Sequence, residues 1–405
     1  MHIMAVWSLV ALVYWLFMLW DTLQARKWML TLHPPDSPPL RPESQRPAPG
    51  NDTPLVSVIV AAKEEEASIT ETVRHLLSQT YPRLEIIAVN DRSQDATGRK
   101  LDELRRWSEG RSAIEVPLRV IHITALPSGW LGKNHALYQG YLQARGSYLL
   151  FTDADVLFEP GTIADAVRYM REEQADHLTL APQMLVKGFW LRAFVYYFFF
   201  TFSLYIRPWR ANDDLQHRHG MGIGAFNLLT RNAYERIGTH RAFALRPDDD
   251  LHLGRLIKAA RLRQRLALAS RHIAVEWYRS LSEAVRGLEK NLFSGFGYRL
   301  PLATLGVIGL LAVFLFPFIG LFAAQGWPAA VFGLDVVLMV TVYVLLARSI
   351  TGPVGTEIIA FPLTVCLLCY TVIRSVWLTL RQRGIYWRGT FYSLKELKRM
   401  TGPDD

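Results

Sequence analysis

Asp153 and Asp155 flank Ala154 one residue after the apolar run Tyr148–Phe151. In extended backbone, residues two apart point the same way, so the two carboxylates converge. Converging carboxylates are hard oxygen ligands of the kind Mg²⁺ and Mn²⁺ take, and Mg²⁺ commonly completes its shell with substrate phosphates. Asp-x-Asp also occurs in plain solvated turns. Three further polar clusters weigh against that reading: Lys63-Glu64-Glu65-Glu66, Asn90-Asp91-Arg92-Ser93-Gln94-Asp95 and Trp130-Leu131-Gly132-Lys133-Asn134. Each follows an apolar run. Asp, Asn, Ser and Glu favour helix N-termini, so capping accounts for any one loop alone, but not readily for four in succession. Asp248-Asp249-Asp250 precedes an amphipathic helix and supplies more caps than one helix needs. His219-Gly220-Met221-Gly222-Ile223-Gly224 suits backbone that closes on a ligand, since glycine lacks a Cβ, although a plain flexible loop has the same composition. His217 and His219 have no further ligands spaced for a metal, and Cys366 and Cys369 lie in an apolar stretch that reads as packing.

The elements that must carry these clusters alternate. Val56–Ala62 reads as a parallel strand buried on both faces, and Leu84–Val89, Leu118–Ile123 and Tyr148–Phe151 as three further strands. Ser68–Ser78, Ala96–Trp107 and Asn134–Arg145 have helical spacing between them. Strands separated by helices of this length form right-handed βαβ units, an α/β layer fold. Ligands in such sheets bind beyond the carboxyl ends of the strands, which is where the four loops fall.

Hydrophobic residues make up 50% of the 405-residue chain and aromatics 12%, which excludes a disordered or collagen-like protein. Two cysteines exclude a disulfide-built secreted domain. A formal net charge of +9 favours an anionic partner: nucleotide, phospholipid and nucleic acid all qualify. The apolar residues cluster. Ile3–Trp20 carries no charge and can just cross a bilayer core of about 30 Å. Leu300–Gln325 is uncharged, Gly326–Ala347 carries only Asp335, and Ile358–Leu380 only Arg374. The expected organisation is a transmembrane helix at 1–22, a Pro-rich spacer at 23–54, a globular domain at 55–298, transmembrane or re-entrant helices at 299–380, and a basic tail at 381–405. Phe361-Pro362 is expected to break the last apolar segment. Phe189–Ile206 is apolar and aromatic but interrupts the globular region. It is read as an interfacial helix at about 188–206 with aromatics at headgroup depth, against the alternative of a core helix. Basic residues beside the spans put the globular domain and the tail in the cytoplasm.

The runs VSVIVAAKEEE, IIAVNDRSQDATG, GWLGKNHALYQG, LLFTDADV and RPDDDLHLGRLIKAA together resemble a membrane-bound family 2 glycosyltransferase. The resemblance covers roughly 55–278. GWLGK and YWRGTFY (Tyr386–Tyr392) are similar to bacterial hopanoid-associated and carotenoid lipid glycosyltransferases. The family implies a GT-A fold, a Rossmann-like nucleotide-diphospho-sugar transferase domain, here with added transmembrane α-helices. It implies that Glu65 and Asp91 hold a uridine, that Lys133 lies near the nucleotide or diphosphate, and that Asp153 and Asp155 hold Mg²⁺ or Mn²⁺ on the diphosphate. Gly222 and Gly224 fall in its acceptor- and sugar-side loop. Asp250, in register with Leu253, takes the place of the general base, with Asp249 as its acidic neighbour. Asp95 ties its own loop or caps a helix. The family usually has Pro-Ala-x-Asn-Glu after the first strand, where this chain has Ala61-Ala62-Lys63-Glu64-Glu65. The Gln/Arg-x-x-Arg-Trp run of processive members is absent. Arg286 and Lys290 occupy roughly its region and are candidates for the leaving diphosphate.

These features imply an inverting hexosyltransferase that moves one sugar from a nucleotide-sugar, a UDP-sugar, to the hydroxyl of a membrane lipid. The expected setting is a bacterial-type inner or plasma membrane, crossed more than once, with no nucleic-acid partner. A polyprenyl-phosphate acceptor is the second reading, and a non-catalytic membrane scaffold the third.

Overall fold

The protein is described here by a computed structural model covering residues 2–32, 53–110, 116–387 and 389–400. Most of the Pro-rich stretch, Arg388 and the last residues of the basic tail lie outside the described residues. In chain order the elements begin with α1 (His2–Ala25), β1 (Leu30–Thr31), β2 (Val56–Ala62), α2 (Ile69–Leu77), β3 (Leu84–Asp91), α3 (Thr97–Glu109) and β4 (Leu118–Ile123). Next come α4 (Gly132–Gln143), β5 (Tyr148–Asp153), β6 (Val156–Phe158), α5 (Thr162–Glu172), β7 (His177–Ala181), β8 (Gln183–Met184) and α6 (Phe189–Ile206). They continue with β9 (Asn227–Thr230), α7 (Arg231–Arg236), α8 (Asp249–Ala259), β10 (Gln264–Leu268), β11 (Ile273–Val275) and α9 (Leu281–Leu288). The chain closes with α10 (Leu300–Leu310), α11 (Phe316–Ala323), α12 (Trp327–Ile350), α13 (Phe361–Gln382), β12 (Gly384–Trp387), β13 (Thr390–Ser393) and α14 (Leu394–Met400).

These elements form two compact units. A sheet unit comprises Met29–Met184 and Pro208–Glu276; a helical unit comprises Met1–Trp28, Leu185–Arg207 and Trp277–Asp405. Residues 185–207 and 277–298, read above as part of the globular domain, therefore group with the helices. Residues 23–32, read as the start of a spacer, contain the end of α1 and strand β1.

The sheet unit is built on eight strands in the order β1-β10-β7-β9-β5-β2-β3-β4. All neighbours are parallel except β9, which runs antiparallel to both β5 and β7. Strand β2 is buried along its whole length, as an unbroken β-branched run between two helix layers requires. Helix α4 packs close on the sheet because Gly140 has no side chain: a Cβ there would lie 2.4 Å from Ile59 Cγ2. Strands β7, β9 and β10 are not signalled by an apolar run, because each buries polar residues that satisfy one another. Asn227 Oδ1 is 3.1 Å from His177 Nε2, and Gln264 Nε2 donates to His177 Nδ1 at 2.7 Å. Burial pushes His177 down to about 4, so the ring is neutral at pH 7 and passes one hydrogen bond through the sheet.

In the helical unit, five helices among the described residues are long and apolar enough to cross a membrane: His2–Ala25, Phe189–Ile206, Leu300–Ala323, Trp327–Ile350 and Thr356–Gln382. The third contains a π turn at Leu311–Leu315, followed by Pro317 in the first turn of α11. Proline lacks the amide that would continue the regular ladder, and such turns are local widenings of a helix. Pro362 stands in the first turn of α13, where its missing amide costs nothing. The structure thus has Phe361-Pro362 starting a 22-residue helix, where the sequence suggested a break.

Candidate active site

The clusters after β2 and β3 are joined backbone to side chain. Ser93 Oγ accepts from Glu64 N at 3.1 Å, and Glu64 Oε1 accepts from Gln94 N at 2.8 Å. Asp95 accepts from Glu66 N at 3.0 Å and from Thr97 N at 2.9 Å. Asp95 therefore ties two loops together, and these hydrogen bonds hold it below the usual carboxylate range against the opposing effect of burial. Glu65 accepts from Ser68 Oγ at 2.9 Å. Asp91 is buried at the end of β3, and both its oxygens accept from Arg92, at 2.7 and 3.1 Å. Arg92 has φ 56°, a left-handed conformation uncommon for a residue with a side chain. Gly132, opening α4, packs onto this pair: a Cβ would meet Asp91 Oδ2 at 2.2 Å.

The second gathering is ionic. Lys133 Nζ lies 2.9 Å from Asp153 Oδ1 and 3.4 Å from Asp249 Oδ2. Asp250 accepts from Gly224 N at 2.7 Å and from Leu251 N at 2.7 Å. Gly224 O in turn accepts from Asp153 N at 3.1 Å. Glycine is needed at this point, because a Cβ on Gly224 would stand 2.4 Å from Asp153 Oδ2. Gly222 packs backbone to backbone, where a Cβ would come 1.9 Å from Asp250 O. These two glycines let the loop before β9 lie flat under the start of α8. Lys133, Asp153, Gly224, Asp249 and Asp250 line one small cavity, together with His240 and Asn227.

The three consecutive aspartates do three different things. Asp248 is held by Arg246 at 3.0 and 3.1 Å, which keeps it below the usual range despite burial. Asp249 faces Lys133, and Asp250 is fixed by two backbone amides. Burial pushes Asp249 up to about 7; Lys133 opposes this, and Asp250 and Asp153 add to it. Burial likewise raises Asp250, again opposed by Lys133 and supported by Asp153. Burial works against the charge on Lys133, but the carboxylates of Asp153, Asp249 and Asp250 outweigh it and hold the ammonium well above the ordinary lysine range.

Sequence reasoning missed Arg92, Arg246 and the part played by Asn134. The Asn134 amide donates to the carbonyls of Phe243, Ala244 and Arg246 at 3.0, 3.2 and 3.0 Å. It thereby fixes the segment before the three aspartates to the residue after Lys133. Only its place beside Lys133 hinted at this. Arg286 and Lys290 belong to the helical unit, on α9 and in the turn after it.

The residues fit a divalent ion. Three carboxylates gather around one ammonium, and the Asp153 carboxylate among them offers hard oxygens of the kind such an ion takes. Among the described residues no three His, Cys, Asp or Glu gather as a complete ligand set. The remaining ligands would be phosphate oxygens and water, as Mg²⁺ usually takes them.

A mostly parallel sheet with acidic loops beyond its strand ends and an acid–lysine cluster at the start of α8 defines the GT-A class of sugar transferases. Residues 57–238 match the model of glycosyl transferase family 2, and the chain carries a domain of that family. It is 22% identical over 348 residues to the 4,4'-diaponeurosporenoate glycosyltransferase of Staphylococcus aureus, covering 84% of this chain and 89% of that protein. It is 35% identical over 165 residues to the beta-monoglucosyldiacylglycerol synthase of Synechocystis, covering 38% of this chain and 32% of the relative. A probable glycosyltransferase of Bacillus subtilis, YdaM, is 37% identical over 106 residues, 26% of this chain and 23% of that protein. The chain thus spans about a quarter to a third of the length of the last two. Among solved structures, a mannosyltransferase from Pyrobaculum calidifontis, in complex with GDP-Man and Mn²⁺, shares the fold with a TM-score of 0.56. It is 17% identical, and the match covers 94% of this chain and 99% of that one.

Proposed function

We propose that the protein is an inverting glycosyltransferase that moves one sugar from a UDP-sugar to the hydroxyl of a membrane lipid. The observation that carries this reading is the convergence of Lys133, Asp153, Asp249 and Asp250 on one cavity, joined through Gly224. Glu65 and Asp91 hold the uridine, which requires Arg92 to give up part of its hold on Asp91. Asp153, once Lys133 eases its hold on it, and Asp155 would hold Mg²⁺ or Mn²⁺, which would supply Lewis-acid stabilisation of the leaving diphosphate. Lys133 adds a positive charge beside the same phosphates. Asp250 takes the proton from the acceptor hydroxyl as its oxygen bonds to the anomeric carbon, and the bond from that carbon to the diphosphate breaks. The raised Asp250 and Asp249 match proton acceptance near neutral pH better than ordinary aspartates do.

A lipid acceptor is supported by the five long apolar helices and by the lipid-like acceptors named for two relatives. Basic residues beside the spans favour a cytoplasmic sheet unit at a bacterial-type plasma membrane. The test is purified full chain with a panel of UDP-sugars and extracted membrane lipids, products read by mass spectrometry. A singly glycosylated neutral lipid is expected, formed only with a divalent cation. Full activity in excess EDTA, or products confined to polyprenyl phosphates, would overturn the corresponding part.

A further inference from the structure

The helical unit has a cleft of its own, about 320 Å³ in volume, lined by Tyr278, Ser280, Ser282, Glu283, Arg286 and Lys290. One wall is the Tyr278 ring, seated on Gly287, where a Cβ would come 2.4 Å from Tyr278 Cε1. The charges in it are unevenly answered. Glu283 is engaged in the cap of α9: its Oε2 accepts from Arg279 N at 2.9 Å, while its own amide donates to Ser280 Oγ at 3.2 Å. Glu289, the next acid along, is taken by Arg374 of α13. Arg286 and Lys290 have no ion pair among the described residues, and both are exposed. Two free cations and two hydroxyls around a cavity of this size form a receptor for a phosphate group: guanidinium and ammonium donate to its oxygens, and serine hydroxyls complete the shell.

The surroundings indicate what carries the phosphate. Trp277 adjoins Tyr278, their rings 4.6 Å apart. The Trp277 ring lies 5.3 and 5.1 Å from Phe198 and Phe199 of the apolar helix α6. A polar cationic cleft thus runs into half-buried aromatic surface, the sequence of environments that an amphiphile with an anionic head and apolar chains meets at a membrane interface. We infer that this cleft of the helical unit binds the phosphate headgroup of an anionic membrane phospholipid. The inference does not depend on the proposed acceptor, and it assigns Arg286 and Lys290 to a lipid phosphate in place of the leaving diphosphate.

The test uses the full chain, delipidated in a neutral detergent. Radiolabelled phosphatidylglycerol in mixed micelles is titrated against wild type, Arg286→Gln/Lys290→Gln and Arg286→Lys/Lys290→Arg. Saturable binding by wild type, weakened at least tenfold in the glutamine pair and retained in the charge-conserving pair, is expected. Retention in the charge-conserving pair separates lost charge from lost folding. Diacylglycerol with the same chains should show no dependence on these two residues. Equal phosphatidylglycerol binding by wild type and the glutamine pair overturns the site. Inorganic phosphate competing at the same concentration as the lipid overturns the lipid source in favour of free phosphate. UDP displacing the lipid returns the two cations to the donor diphosphate and overturns their assignment to a lipid phosphate.

Discussion

The loops after β2 and β3 and the cluster at β5 and α8 belong to the same sheet unit, yet their acids are balanced differently. In the first region each acid has a local partner. Asp95 caps Thr97 and anchors Glu66, Glu64 accepts from Gln94, and Asp91 faces its neighbour Arg92. In the second, Asp153 and Asp249 share Lys133, and Asp250 is held by backbone amides in the same cavity. Local pairing produces a fixed shape. Shared pairing leaves surplus negative charge beside a group near neutrality, a site ready to take a cation and a proton. The same residue type therefore builds a wall in one place and a reactive surface in the other.

The largest effect expected from that contrast is at Asp250. Asp250→Asn should slow transfer about 10²–10⁴-fold, the usual contribution of general base catalysis, while donor affinity stays nearly unchanged. Steady-state kinetics with Asp249→Asn alongside sharpens the comparison. If Asp249→Asn abolishes transfer and Asp250→Asn does not, the base is one residue earlier.

Asp91→Ala should act on binding. Losing a charged hydrogen-bond acceptor for the base costs about 1.5–3 kcal/mol, or roughly 10–100-fold in donor KM with kcat largely kept. A fall in kcat at constant KM would move Asp91 from the first region into the second.

The pH response separates the regions in the metal-free protein. Asp249 is raised from the ordinary 3.8 to about 7. Its folded form therefore binds the proton more tightly than the unfolded chain does. The stability this contributes is fully present below pH 4 and is lost as pH rises towards 7. Thermal melts in EDTA should show that decline, and Asp249→Asn should flatten it. Asp95, which is lowered, contributes in the opposite direction, with stability lost as pH falls below the ordinary aspartate range.

The smallest effect is at Asp95 itself. Asp95→Ala removes a cap and should cost about 1 kcal/mol of stability, read by chemical denaturation, with donor KM unchanged. A large rise in KM would show that the loop touches the nucleotide.

The residues that repeat an obvious period were readable in advance. Strand β2 coincides with the run Val56–Ala62, and β3 and β5 extend the expected strands by two residues each, which puts Asp91 and Asp153 at their ends. Strands β7, β9 and β10 were not readable, since His177, Asn227 and Gln264 look unlike core residues until their mutual hydrogen bonds are seen. The same limit applies within the site. Aspartates stand out in a sequence, but the division of labour among Asp248, Asp249 and Asp250 is set by Arg246, two residues before the first of them, and by Lys133 and Gly224, which lie elsewhere in the chain. Arg92 gave no signal, because a left-handed backbone under an arginine follows no local preference.

The antiparallel strand β9 has a consequence for synthesis. It sits between β7 and β5, yet β7 ends at Ala181 and β9 begins only at Asn227, after the whole of α6. At about 5–20 residues per second, the ribosome leaves that slot open for several seconds. During this time β5 presents a bare edge and β7, whose other neighbour β10 is also still to come, has no sheet partner, and such edges recruit foreign strands. The apolar helix α6 emerges in the same interval. A nascent chain stalled there would hold an incomplete sheet and a sticky helix together. Pausing before codon 227 should therefore send this protein to quality-control proteases more often than pausing after it.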